Sequence, residues 1–344
     1  MANVQTVRGS IDSRDLGVTL MHEHLLLDAR KSWQEPKEAS RIALARRPVT
    51  PNILHELRQD PFMNLDNCTL LDEQAAAEEV EQFKLLGGAT VVDATCRGIG
   101  RDPLALQRIS QLTGLNIVMG TGYYLEDRHP PYVRRASIDE LKDEMVIDLL
   151  EGVDGTGIRA GYLGEIGIGR GMTSQEEKAL RAAARAQVRT GVALSIHLPG
   201  WERLGHRVID VIEQEGGDPS RTVLDHMNPS FADSDYQREL AGRGAYLEYD
   251  MIGMDYYFAN QDTQCPSDDD NARAIAGLID AGYVEHLLLS QDVFLKMMLT
   301  RYGGNGYAYI SRHFLPRLRR HGVEEQALET MMVTNPARVL GGTS

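Results

Sequence analysis

The stretch Gly17-Val18-Thr19-Leu20-Met21-His22-Glu23-His24 decides the fold. It is an apolar run that closes on two histidines separated by one residue. Side chains on a strand alternate between faces, so His22 and His24 share one side and Glu23 points away, into the surrounding wall, with no part in the chemistry. Two imidazoles on one side of a rigid strand form half of a transition-metal site. Taken alone, the pair reads more readily as two polar residues at a strand end. What decides the matter is whether later strands end in further ligands.

Seven more β-rich runs follow: Thr90–Thr95, Asn116–Gly122, Ala160–Gly167, Val192–His197, Thr222–His226, Ala245–Asp250 and His286–Asp292. Several are nearly continuous apolar runs, as in a parallel sheet covered on both faces. Between them, Leu71–Leu86, Asp102–Leu112, Ile138–Leu150, Ser174–Thr190, Trp201–Glu215 and Asp268–Ala281 have helical periodicity. Thr173 and Ser174, followed by Glu176 and Glu177, mark a helix start, and Gly191 suits a left-handed stop. Eight strand–helix units in order predict the α/β class and a single-domain (β/α)8 barrel. The barrel is expected over 17–320, after an N-terminal strand or hairpin in 1–16 and before a C-terminal helix and tail in 321–344. Glu324–Met332 is expected to be that helix, with Thr334-Asn335-Pro336-Ala337 closing the chain. The stretch from Asp28 to about Asn67 is expected to loop over the barrel mouth.

The 344 residues carry a formal charge of -14, which argues against nucleic acid or an anionic membrane as a partner. The Arg-rich stretch Arg312–His321 reads as the solvated face of a helix. Three cysteines, Cys68, Cys96 and Cys265, without a C-x-x-C spacing argue against a disulfide framework. No apolar run approaches a membrane span, and the first residues lack the apolar core of a signal peptide. The expected location is the cytoplasm.

Barrel enzymes build their sites at the carboxyl ends of the strands. Those ends supply His22 and His24 on the first strand, Glu165 on the fourth, His197 on the fifth, His226 on the sixth and Asp292 on the eighth. Four imidazoles and two carboxylates exceed what one tetrahedral zinc uses. They suit two divalent ions about 3.5–4 Å apart, bridged by a carboxylate and a hydroxide. His22, His24 and Asp292 would hold the inner ion, His197 and His226 the outer one, and Glu165 would span both. Zinc is the expected metal, with manganese or cobalt as alternatives.

This ligand order resembles the amidohydrolase superfamily, and several runs resemble its phosphotriesterase family. They are Gly17–His24, Gly100-Arg101-Asp102, Thr121-Gly122-Tyr123-Tyr124, Gly164-Glu165-Ile166-Gly167, Tyr302–Tyr307 and Thr334–Ala337. The best-known members carry a carboxylated lysine as the bridge, whereas this chain offers Glu165, as in the phosphotriesterase-related branch. A glutamate bridge needs no carbon dioxide. The resemblance implies a hydrolase in which a metal-bridged hydroxide attacks a small ester, first of all a lactone, with Asp292 as the catalytic proton acceptor. An amidase or phosphotriesterase on the same site is the alternative, because fold and metals do not fix the scissile bond. A single-metal, deaminase-like enzyme and a catalytically inactive metal-binding barrel complete the alternatives. Tyr124, Arg97, Lys296 and Arg301 are the candidate contacts to a small-molecule substrate. Dimers are common among such barrels, so a homodimer is the assembly to test for.

Overall fold

The computed structural model describes residues 3–341. Eight parallel strands form one sheet, ordered as in the chain. They are Val18–Glu23, Gly88–Asp93, Asn116–Thr121, Tyr162–Gly167, Leu194–His197, Thr222–Leu224, Tyr246–Tyr249 and Leu287–Leu289. The sheet closes where the eighth strand meets the first. Asp292 N–H donates to the His22 carbonyl at 3.2 Å, and His22 N–H donates to Ser290 Oγ at 3.0 Å. This is the (β/α)8 barrel that the alternation of elements predicts.

Each predicted helix is present within a few residues of its expected bounds. Ser174–Thr190 starts at a capping box between Thr173 and Glu176 and stops at left-handed Gly191. One helix, Ser234–Gly242, has only Tyr236, Leu240 and Ala241 as buried apolar residues and leaves little periodic signal. Arg312–His321 is helical and keeps its arginines largely outward, around buried Phe314 and Leu318. The C-terminal helix runs further than expected, from Glu325–Glu329 through a wider π-helical turn into Asn335–Gly341. Asn335 fastens it beneath the eighth strand, its side-chain amide donating to the Val284 and Leu287 carbonyls at 2.8 Å each. Residues 1, 2 and 342–344 of the expected N-terminal and C-terminal segments lie outside the described residues.

Strand alternation divides the core. Leu20, Val91, Ile117, Leu163, Leu194, Leu224, Leu247 and Leu287 belong to the large cluster shared with the helices. Met21, Val92, Val118, Tyr162, Ala193, Val223, Tyr246 and Leu288 form a separate cluster inside the barrel. The hairpin Asn3–Thr6/Gly9–Asp12 supplies Val4 to that inner cluster, and the C-terminal helix supplies Val339 and Leu340. Together they plug the amino end. Towards the carboxyl end the same inward rows turn polar: Val223 is followed by Asp225, Tyr246 by Glu248 and Asp250, and Ala193 by Ser195 and His197. The long segment after the first strand does lie over that end, contributing Lys31, Ser32, Gln34 and Phe62 to the mouth. The three cysteines are free and buried. Among the described residues no helix is long and apolar enough to cross a membrane.

Candidate metal centre

Four imidazoles and two carboxylates converge on the floor of the mouth. His24 Nε2 lies 3.4 Å from Glu165 Oε1 and 3.4 Å from Asp292 Oδ1. His22 Nε2 lies 3.7 Å from Glu165 Oε2 and 3.8 Å from Asp292 Oδ1. His197 Nδ1 is 3.0 Å from Glu165 Oε2 and 2.7 Å from His226 Nε2. Glu165 therefore faces both pairs of rings, one oxygen towards His24 and the other towards His22 and His197.

The second nitrogens fix which atom each ring presents. Thr95 Oγ1 donates its proton to the Leu26 carbonyl at 2.9 Å, so it accepts from His24 Nδ1 at 2.8 Å. His226 Nδ1 donates to Asp250 Oδ1 at 2.9 Å. His22 Nδ1 faces Asp225 and Asp250 at 3.4 and 3.6 Å. For His24 and His226 these partners take the Nδ1 proton, so Nε2 is the atom that faces the centre. Both ring nitrogens of His22 and Asp292 Oδ1 are buried without a hydrogen-bond partner. Unpaired buried polar atoms are costly, so the donor set fits a metal, and its nitrogen-rich character suits zinc.

Backbone geometry completes the placement. His226 and Asp292 both have left-handed φ, 58° and 47°, which costs about 1–3 kcal/mol each and persists only where surroundings over-determine it. Strand alternation would turn Asp225 inward and His226 out; the left-handed turn brings the His226 ring back. Asp250 holds it there by also accepting His226 N–H at 2.9 Å. Gly167 is needed beside the site, because a Cβ there would lie 2.2 Å from the Tyr124 backbone. That close approach draws Tyr124 over the cavity, its ring centroid 4.8 Å from that of His197.

The charges are set by opposing effects. Burial pushes the Asp292 carboxyl up, but His24, His22 and His226 outweigh it and leave it at about 2. Burial likewise raises Glu165, and its hydrogen bond to His197 with the charges of His22 and His24 carries it below the usual range. Glu248, behind the site beside Asp225 and Asp250, is held well up by burial and those neighbouring acids. Burial would lower His226, and Asp250 reverses this, raising the ring to about 9. Below that pH an incoming cation must displace a proton, so zinc affinity is expected to rise with pH up to about 9. Calorimetric zinc titrations near neutral pH, in buffers of different ionisation enthalpy, measure that release; buffer-independent heats would contradict it.

Above the floor is a cavity of about 370 Å³ walled by Leu27, Phe62, Ile99, Trp201, Met251, Met254, Phe258 and Phe294. Tyr124 lines it, with Lys31 and Arg128 as its cations. Arg128 is tied to Ser32 and Asp127 at 2.6 and 2.5 Å. Lys31 is exposed and has no ion pair among the described residues. The other three expected substrate contacts do not line the cavity. Arg97 is bound to Glu144, Tyr132 and Asp154, Lys296 to Asp66 at 2.5 Å, and Arg301 to Glu78 at 3.1 Å. Each loop cation is neutralised by a carboxylate far away in sequence. Residues that strand-end reading passed over are Thr95, Asp225 and Asp250, the partners of the rings; Asp250 at least shared the signal of an acid closing a strand. Glu23 is a further one. It lies in the wall as expected, yet its carboxylate accepts from Ser290 Oγ, Gln291 N–H, Gln291 Nε2 and Val293 N–H at 2.8–2.9 Å.

The family model described as phosphotriesterase family matches residues 2–340. An N-acetyltaurine hydrolase of Tetraodon nigroviridis is 36% identical over 97% of this chain and 96% of its own. The crystal structure of a resiniferatoxin-binding protein from Rhodobacter sphaeroides is 58% identical, covers 98% of this chain and 95% of its own, and superposes with a TM-score of 0.98. The lactonase Lmo2620 from Listeria monocytogenes is 25% identical across the full length of both chains, with a TM-score of 0.80.

Proposed function

The chain belongs to the phosphotriesterase family and is a hydrolase; from that premise we propose that it cleaves a small acyl derivative bearing an anionic group, above all an N-acyl amide. The observation that carries the reading is the convergence of four ring nitrogens, Glu165 and Asp292 beneath an apolar cavity with a free lysine at its rim. His22, His24 and Asp292 would hold one divalent ion, His197 and His226 a second, and Glu165 would bridge them, zinc suiting this donor set. Two such ions, when bound, lower the pKa of water and polarise the scissile carbonyl.

The chain's own groups do the rest. Asp292, ionised throughout the neutral range, accepts the proton of the attacking water and returns it to the leaving nitrogen. The Tyr124 phenol is kept protonated by burial and by the charges of Glu165 and Asp292, and donates to the substrate carbonyl. The apolar walls exclude bulk water, and Lys31 receives the anionic end. An amide with a sulfonate tail, of the kind named in the Tetraodon relative, meets these features. A lactone is the second reading, favoured by the apolar walls and the Listeria neighbour.

The test is a hydrolysis screen of zinc-loaded protein against N-acyl taurines, N-acyl amino acids, lactones and phosphotriesters. N-acyl amides with an anionic tail are expected to have the highest kcat/KM. Lys31→Ala should raise their KM about two- to fivefold, the scale of an exposed charge contact, and leave lactone KM unchanged. Faster lactone turnover with no effect of Lys31→Ala would reverse the order of the two readings.

A further inference from the structure

We propose that Glu23 is the positioning residue of Asp292: its carboxylate grips the backbone on both sides of Asp292 and so turns that side chain over His22 and His24. Oε1 accepts from Ser290 Oγ at 2.8 Å, from Gln291 N–H at 2.9 Å and from Gln291 Nε2 at 2.9 Å. Oε2 accepts Val293 N–H at 2.9 Å. Between the two gripped amides, Asp292 N–H donates to the His22 carbonyl at 3.2 Å. Three successive N–H groups thus turn towards one strand, the outer two onto the Glu23 carboxylate and the middle one onto the His22 carbonyl, with Asp292 at φ 47° in the middle.

A left-handed aspartate holds that conformation only where its surroundings dictate it, and a fully buried carboxylate with four donors does so. Gln291 Oε1 accepts Ile310 N–H at 2.9 Å, which locks the grip to the following helix. The register shift between Leu20 and Glu23 breaks the alternation after inward Met21, and it turns Glu23 out of the mouth and against the eighth strand. The three residues His22-Glu23-His24 therefore supply two donors to the centre and the fixture for a third.

The inference rests on Asp292 being a ligand and proton acceptor. Glu23→Gln keeps the size of the side chain but sets an amide N–H₂ against at least one of the N–H donors. Its kcat is expected to fall about 10–100-fold and its zinc affinity, by chelator competition, about tenfold, the usual effect of losing an outer partner of a ligand. In an Asp292→Ala background Glu23→Gln should cost nothing further in zinc affinity. Hydrogen exchange across 290–293 should quicken in Glu23→Gln, in the absence of metal as well as in its presence. Equal zinc losses in both backgrounds, or unchanged exchange at 290–293, would overturn the proposal. Unchanged zinc affinity in Asp292→Ala alone would sink the ligand reading, while exchange still decides the grip. Should Glu23→Gln not fold, Ser290→Ala removes one of the four donors, and the same pattern is expected at smaller size; unaltered exchange and affinity there would count against the grip.

Discussion

Asp292→Asn is expected to lower kcat about 10³-fold, within the range for loss of a positioned general base, while much of the bound metal stays in place. The replacement has the same shape and keeps a carbonyl oxygen in the position of Oδ1. It removes the negative charge that His24, His22 and His226 stabilise at about 2. The fixture around residue 292 is unaffected, because Glu23 holds backbone and neighbours rather than the Asp292 carboxylate. Turnover measured beside elemental analysis of dialysed protein separates the two effects. A kcat within tenfold of wild type would remove Asp292 from the proton path.

Glu165→Ala is expected to abolish turnover and metal binding together, weakening zinc affinity by more than about 100-fold, beyond the loss that an outer partner brings. Glu165 is the one group that faces both ring pairs, reaching His24 at 3.4 Å and His197 at 3.0 Å. Without it His197 Nδ1, 2.7 Å from His226 Nε2, loses the carboxylate partner that it meets at 3.0 Å. Dialysed wild-type protein should contain close to two ions per chain under the bridged reading and the variant well under one. Retained stoichiometry would mean that the bridge is misassigned. If Glu165 is the bridge, metal loading should be indifferent to added bicarbonate, since a glutamate needs no carbon dioxide to form.

The barrel was legible because strand and helix periods alternate cleanly along the chain, and closure follows from eight such units. The six converging residues were legible for a related reason. A parallel barrel brings all strand ends to one rim, so sequence positions far apart become neighbours without further assumption. Where side chains left that frame, the reading failed. Arg97, Lys296 and Arg301 lie on loops, and nothing local reveals that Glu144, Asp66 and Glu78 await them. The left-handed turns at His226 and Asp292 also lie beyond the ends of their strands, where alternation no longer predicts direction. Glu23 shows the opposite failure: its direction was right, but its role depends on donors from 290–293, which only closure of the barrel brings alongside.

The plug formed by the N-terminal hairpin and the C-terminal helix makes the catalytic chamber a cul-de-sac. Val4, Val339 and Leu340 close the axis at its base, and among the described residues the cavity opens at the mouth. A substrate seated in the mouth covers that opening, so the water to be consumed is expected to be resident before it arrives. Products must back out the way the substrate came. An anionic product that lingers at Lys31 would obstruct the next arrival, and competitive inhibition by product is the kinetic signature expected of such a chamber.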